Sequence, residues 1–208
     1  MILIIVRILI QIIIELEKIK IVNRKKPTDE ADGHLPYKAE EDLIPPMAVA
    51  GEGYNVMTTG LTHDERGYPA LEVDAQKVLL TRLLDKIRKN KDKIIKLEEY
   101  MLDDAEFVII SFGISSRAAK GAVNLARKKG LKAGYLRLIT IWPFPDEQIY
   151  QIAEKVKAVF ITEINSGQVT REVQRVVKGK AEVHGLLKLG GAIHTPTEIV
   201  EEIERRMK

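Results

Sequence analysis

The chain has 208 residues, 45% of them hydrophobic, enough for one full domain with additional segments around a buried core. Its 33 basic and 30 acidic side chains leave a net charge of +3, and aromatics make up only 5%, so nothing in the composition calls for nucleic acid. Cysteine is absent, which excludes disulfides, thiolate zinc sites and cysteine-ligated iron–sulfur clusters within the chain; a reducing cytoplasm fits, and the load of Ile, Lys and Glu fits a heat-adapted source.

Met1–Ile14 is almost pure isoleucine and leucine. A membrane span needs about 20 apolar residues, whereas this run carries Arg7 and stops at Glu15. It lacks the basic start and small-residue cleavage site of a signal peptide. It reads as a buried strand or as the misassigned start of a longer gene, and not as a membrane anchor. Glu17–Val22 sets Ile19 and Ile21 against Lys18 and Lys20, a period-2 strand signal. Asn23–Pro46 is polar and punctuated by Pro27, Pro36, Pro45 and Pro46, as an extended connector would be. Gly51-Glu52-Gly53 is a turn, and Tyr54–Thr58 a short strand candidate.

Thr58–Pro69 then sets His63, Asp64, Glu65 and Arg66 side by side between Gly60 and Gly67. Four adjacent titratable side chains cannot share one helix or strand face, and the glycines with Pro69 mark a loop. A loop so densely charged is a candidate contact for a ligand or a partner subunit. The competing reading is a polar turn whose charges pair locally. From Asp74 a helical pattern reaches Met101, with Leu80, Leu83, Leu84 and Ile87 and then Ile94, Leu97 and Met101 at helical spacing. The polar Arg88–Asp92 segment is its weak point.

From Ala105 the pattern becomes regular. Phe107–Ile110 is a continuous apolar run, the mark of a strand buried on both faces. Helix Ser115–Lys129 follows, its stripe of Ala118, Ala119, Ala122, Val123 and Ala126 small enough for close approach to a sheet, and Gly130 ends it. Strand Ala133–Thr140, helix Asp146–Val156, strand Ala158–Ile161, helix Gln168–Val177, strand Ala181–Gly185 and a helix from Pro196 complete the series. Thr195, Pro196 and Glu198 spell a capping box. Such alternation predicts an α/β fold, a mainly parallel sheet with helices on both faces, preceded by an irregular arm and the long helix. The organisation is thus residues 1–22, an apolar N-terminal segment; 23–102, a connector with the charged loop and long helix; and 103–208, the α/β domain.

In such sheets ligands bind beyond the carboxyl ends of the strands. The loops there are Ser111–Arg117, Thr140–Pro145, Thr162–Gln168 and Leu189–Thr195. The first and third bring small or polar residues to helix starts, making Ser115, Ser116, Arg117, Asn165, Ser166 and Gln168 candidates for binding an anion. Ordinary capping by Ser115, Ser116 and Ser166 is the competing reading. No G-x-G-x-x-G or Walker pattern occurs. His63, His184 and His194 lack metal-ligand spacing, no serine sits on a nucleophile elbow, and no catalytic residue or metal site is assigned. Glu163 is the best isolated acid, although Asn165 and Gln168 beside it suggest a hydrogen-bonding loop.

Taken together, Gly51–Tyr54, Thr59–Pro69, the Trp142-Pro-Phe-Pro145 turn and the Glu163–Gln168 loop resemble the alpha subunit of the 2-oxoacid:ferredoxin oxidoreductases, most closely the 2-oxoglutarate type. The resemblance covers about Ile21–Lys208, with the motifs in the family's order. It implies that Ala105–Lys208 is a transketolase C-terminal-like domain, and that the thiamine-diphosphate pyrimidine-type domain with which the family's alpha subunit begins is missing here. It further implies that this chain alone binds no cofactor, with thiamine diphosphate and magnesium held mainly by a beta subunit and iron–sulfur clusters on partner chains. The whole enzyme would be a cytoplasmic complex of this chain, the beta subunit and any further subunits, decarboxylating a 2-oxoacid to the acyl-CoA and reducing ferredoxin. This chain would shape the assembly and one wall of the active-site channel. The alternatives are a stand-alone α/β module binding an anion at Ser115–Arg117 and Asn165–Gln168, or a scaffold domain without ligand.

Overall fold

A strand with no polar face has to be covered on both sides, and the apolar run beginning at Phe107 imposes that condition on everything around it. In a computed structural model of the chain, which describes residues 20–207, the run is the second strand of a five-stranded sheet. The elements are α1 (Val73–Arg88), α2 (Lys91–Ile94), β1 (Leu97–Tyr100), β2 (Phe107–Phe112), α3 (Ser115–Lys128), β3 (Ala133–Leu138), α4 (Asp146–Ala153), β4 (Ala158–Glu163), α5 (Gln168–Val177), β5 (Glu182–Leu187) and α6 (Pro196–Arg206). The chain divides into two units, Met1–Lys86 and Ile87–Lys208.

In the second unit the strand order is β1-β3-β2-β4-β5. β3, β2, β4 and β5 run parallel, and β1 pairs antiparallel with β3. The first five residues of β2 and all six of β4 are buried. Phe107, Ile109, Tyr135 and Phe160 form a core with the alanine stripe of α3 and with Ile199, Val200 and Ile203 of α6. Val108, Ile110, Leu136 and Ile161 pack on the other face against Ile149 of α4 and Val169, Val173 and Val177 of α5. A Cβ on Gly121 would lie 3.0 Å from the ring of Pro196, so this glycine lets the start of α6 close onto α3. Thr195 and Glu198 cap α6 reciprocally, with Pro196 in its first turn, as the sequence predicts.

The long helix expected from Asp74 to Met101 is not continuous. α1 stops at Arg88, and Leu97–Tyr100 is a strand that closes the edge of β3, in register Leu97↔Leu138 to Tyr100↔Tyr135. The spacing of Ile94, Leu97 and Met101 suits a helix, but β3 offers an open ladder, and this tertiary pairing overrides local preference. β5 runs two residues beyond the expected Gly185 because Leu186 and Leu187 continue the ladder opposite Thr162 and Glu163.

The first unit is largely irregular. Tyr54–Thr58 forms no ladder, contrary to the strand expected there. Tyr54 instead donates through its hydroxyl to the Asp29 carbonyl at 3.1 Å and meets the buried His34 ring edge-on at 5.1 Å. His34 Nδ1 in turn lies 2.9 Å from the Asp29 carboxylate. Lys20–Val22 likewise pairs with no strand, and Ile21 and Val22 are exposed. The Met1–Ile14 run and the start of the Glu17–Val22 signal lie outside the described residues. Among the described residues no helix is long and apolar enough to cross a membrane.

The tightness of the sheet edge can be measured at Gly134 in β3. A Cβ there would meet Ala105 Cβ and Leu102 Cδ2 at 2.8 Å and the Met101 carbonyl at 3.1 Å. Gly134→Ala is expected to destabilise the chain by about 1–3 kcal/mol through overpacking, read as a lower denaturation midpoint in urea; an unchanged midpoint would mean that this edge is looser than described.

Candidate functional site

The fifth residue of β2, β3 and β4 is Ser111, Arg137 and Thr162, where each strand breaks its apolar pattern. The register puts these residues in one row across the sheet: Glu98 of β1 faces Arg137, Arg137 faces Ser111, and Ser111 faces Thr162. Side chains alternate along a strand, so this row lies on the face carrying Ile109, Tyr135 and Phe160 and covered by α3 and α6. One rung of the sheet beneath α3 is therefore polar where the rungs before it are apolar. Ser111 and Thr162 are fully buried. The Ser111 hydroxyl lies 3.1 Å from the Tyr135 hydroxyl and 3.3 Å from that of Ser116, and the Tyr135 hydroxyl donates to the Ser116 carbonyl at 3.2 Å. Arg137 Nη1 reaches Glu98 at 3.3 Å. Two buried polar atoms of the row, Arg137 Nε and Thr162 Oγ1, have no hydrogen-bond partner.

The row ends at the carboxyl edge, where β2 continues to one side through β3 and the chain then crosses to β4 on the other. Such a switch point opens a crevice with helix N-termini on its walls. At α5 that crevice is already filled by the chain itself. The Glu163 carboxyl, fully buried, accepts the N–H groups of Val169 at 3.0 Å and Thr170 at 2.9 Å and the Thr170 hydroxyl at 2.5 Å. Asn165 Oδ1 accepts from the N–H groups of Gly167 at 2.9 Å and Gln168 at 3.0 Å. The expected anion site at Asn165, Ser166 and Gln168 thus finds its backbone donors engaged, and Glu163 acts as a helix cap. Ser166 does not cap α5: the N-cap position is Gly167, at φ 91°, and Ser166 contributes only its carbonyl, to Arg171.

At α6 the same role falls to Glu198. Its carboxylate accepts from Lys188 Nζ at 2.8 Å and from the Thr195 N–H at 2.7 Å, and these contacts, Lys188 foremost, lower its pKa from 4.5 to about 2. His194 is buried beside them, its Nδ1 without a partner, and burial followed by the Lys188 charge lowers its pKa. A cavity of about 340 Å³ adjoins Leu186, Lys188, His194 and Glu198. His184 stacks on Phe160 at 5.0 Å, a packing contact.

α3 differs from both. Its first turn has no acidic residue and its N-cap, Ile114, gives no side-chain bond. Ser115 and Ser116 do not cap it either. They are buried in the first turn, with the Ser116 hydroxyl joined to Ser111. Arg117 stands exposed at the rim of a cleft of about 490 Å³ shared with Glu98, Gly113, Lys120 and Arg137.

The charged loop in the first unit is organised mostly by itself. His63 bridges to Pro69. The Asp64 carboxylate accepts the N–H groups of Arg66 at 2.9 Å and Tyr68 at 3.1 Å, and the Arg66 guanidinium at 2.9 Å, and Arg66 first among these contacts lowers its pKa. Arg66 also lies over the Tyr68 ring at 5.6 Å, and His63 packs on Tyr37 with ring centroids 3.8 Å apart. Local pairing is therefore what Asp64 and Arg66 do; among the described residues Glu65 engages only its backbone carbonyl, which accepts from the Tyr37 N–H. A Cβ at Gly67, φ 92°, would sit 2.1 Å from the Met57 carbonyl, which explains the glycine. His63, Asp64 and Glu65 line a cleft of about 520 Å³ with Tyr37, Val78 and Arg82. Among the described residues no cluster of three or more histidine or acidic side chains is arranged to hold a metal.

Residues 105–199 match the family model of the pyruvate:ferredoxin oxidoreductase core domain II. The chain is 49% identical over 189 residues to the 2-oxoglutarate synthase subunit KorA of Methanocaldococcus jannaschii, covering 91% of this chain and 49% of the relative. It is 44% identical over 188 residues to the KorA subunit of Methanothermobacter marburgensis, covering 90% and 50%. Among solved structures, the 2-oxoglutarate:ferredoxin oxidoreductase from Magnetococcus marinus, determined with 2-oxoglutarate, coenzyme A and succinyl-CoA bound, superposes with a TM-score of 0.72 at 23% identity, over 91% of this chain and 33% of that one. The chain spans about half the length of the curated relatives it matches. Over most of its length it is similar to KorA subunits of 2-oxoglutarate synthases, in line with the resemblance the sequence motifs carry.

The self-filled helix ends are open to test. Glu163→Ala leaves the Val169 and Thr170 N–H groups buried without an acceptor, and a loss of about 1–3 kcal/mol is expected in chemical denaturation; a neutral result would mean that water replaces the carboxyl. Glu198 loses protons more readily folded than unfolded, so its stabilisation is complete above pH 4.5 and is lost as pH falls toward 2. His194 acts in the same direction at higher pH, because below about 6.5 the unfolded imidazole takes up a proton that the folded one resists. Glu198→Gln is expected to flatten the fall in melting temperature between pH 4.5 and 2 relative to the parent chain; an identical acid limb would show that this carboxylate is not its source.

Proposed function

We propose that the chain serves as part of the alpha subunit of a cytoplasmic 2-oxoacid:ferredoxin oxidoreductase of the 2-oxoglutarate type, contributing an assembly surface and a wall of the active-site channel. The observation that carries this reading is the 49% identity to a KorA subunit maintained over 91% of the chain, and so across both units. In the complete enzyme the carboxyl group of the 2-oxoacid leaves as carbon dioxide, the acyl group passes to coenzyme A, and the electron pair passes to ferredoxin. Thiamine diphosphate, magnesium and iron–sulfur clusters would be held by the beta subunit and other partner chains.

A supporting role agrees with where this chain spends its polar groups. Glu163 at the end of β4 and Glu198 in the first turn of α6 are committed to helix ends. Around them the loops expose large apolar side chains: Ile139, Ile141 and Trp142 after β3, and Leu187, Leu189 and Ile193 at and beyond the end of β5. An apolar rim on this scale suits a surface that another protein covers. The charged loop belongs to the same reading as a partner contact, with Glu65 its outward-facing carboxylate.

Purification of the native chain from its source, with partners identified by mass spectrometry, is expected to recover the beta subunit with it. Purified alone, the chain is expected to reduce no electron acceptor with 2-oxoglutarate, coenzyme A, thiamine diphosphate and magnesium supplied, and to gain activity only with its partners. Turnover by the isolated chain would overturn this division of labour, and recovery without any oxidoreductase subunit would overturn the assignment itself.

A further inference from the structure

Four helices begin at the carboxyl edge of the sheet: α4 carries Asp146 and Glu147 in its first turn, and α5 and α6 each close their positive end with a carboxyl group, Glu163 and Glu198. α3, 14 residues long, has neither a cap nor an acid in its first turn. Its start instead forms one wall of the 490 Å³ cleft, whose opposite wall is the Glu98–Arg137 end of the polar row. Arg117, Lys120 and Arg137 line the cleft against Glu98 alone, so three cations less one carboxylate leave it a charge of +2.

These cations are only partly neutralised within the chain. Lys120 and Arg137 share the single Glu98, at 2.6 and 3.3 Å, and Arg137 keeps a buried Nε with no partner. Arg117 has no carboxylate partner among the described residues. Ser116, 5% exposed, also lines the cleft, and its hydroxyl can accept from Ser111 while its own proton is free to donate into the cleft. Gly113, at φ 55°, brings the backbone to the rim with no side chain in the way.

We propose that this cleft binds the phosphate or diphosphate group of a small molecule. Two guanidinium groups, a lysine and a serine hydroxyl lining one cleft at a helix start suit a tetrahedral dianion with several acceptor oxygens better than one planar carboxylate. The +2 charge matches that dianion. The assignment rests on the cleft's own side chains and holds whether or not the oxidoreductase reading does.

The test is titration of the whole chain with inorganic pyrophosphate by calorimetry, with amide chemical shifts locating the site and 2-oxoglutarate titrated as the carboxylate comparison. Saturable pyrophosphate binding that shifts the Gly113–Ala118 amides is expected. Arg117→Ala should weaken it about tenfold, the loss of one charge-assisted contact, without moving the melting temperature, since Arg117 is exposed. Arg171→Ala, at the self-capped start of α5, should leave binding unchanged. Absence of saturable binding, binding indifferent to Arg117, shifts confined to α5 or α6, or tighter binding of 2-oxoglutarate than of pyrophosphate at the same amides would each overturn the proposal.

Discussion

The burial of β2 and β4 on both faces is the constraint from which the second unit follows. Neither strand has a solvent side, so helices must cover both faces, and α3 with α6 and α4 with α5 do so. Covering a sheet closely needs small or β-branched side chains at the contact, which is why α3 presents alanines and α5 presents valines. The same condition leaves no place for a polar residue within β2 or β4 except near the carboxyl edge, where the helices begin and the loops leave. Ser111, Arg137, Thr162 and Glu163 all lie in that last stretch.

The helix ends give that edge its electrostatics. A helix N-terminus carries a partial positive charge and unbonded N–H groups, and burying these without an acceptor is costly. At α5 and α6 the acceptor is supplied by Glu163 and by the Thr195–Glu198 box, so each end is neutralised where it stands. At α3 the sequence supplies Gly113, Ile114 and serines instead, then Arg117 and Lys120, which add positive charge to a positive end. Such an arrangement raises the free energy of the isolated fold slightly and becomes favourable when an anion is present. The contrast between the start of α3 and those of α5 and α6 is electrostatic.

Much of this was legible in the sequence, where side-chain period and local chemistry decide the outcome. The alternation from Phe107 onward, the alanine stripe of α3 and the capping box at Thr195 all depend on residues within a few positions of one another. Leu97–Tyr100 was not legible, because its apolar spacing satisfies a helix and its choice of strand comes from β3, some 40 residues later. The role of Glu163 was half legible: its neighbours suggest a hydrogen-bonding loop, but its use as the cap of α5 depends on the loop turning back. The polar row had a signal that local reading passes over, a polar residue at the same fifth position of β2, β3 and β4, which becomes one site only once the register is known.

The charged loop shows the same limit from the other side. Its glycines and its density of charge locate it correctly, yet composition cannot say whether Asp64 and Arg66 face outward or each other. The geometry decides for each other, because Asp64 has three donors to satisfy, from the Arg66 and Tyr68 backbone and from the Arg66 guanidinium, and all lie within four residues. Gly67 makes that closure possible by admitting the Met57 carbonyl where any side chain would collide. The loop therefore holds its shape through Asp64 and Gly67, which leaves at the cleft the Glu65 carboxylate and the His63 ring laid against Tyr37. In the partner contact proposed above, a loop held by these bonds and presenting a carboxylate unpaired among the described residues loses less conformational freedom on engagement than four unpaired charges would.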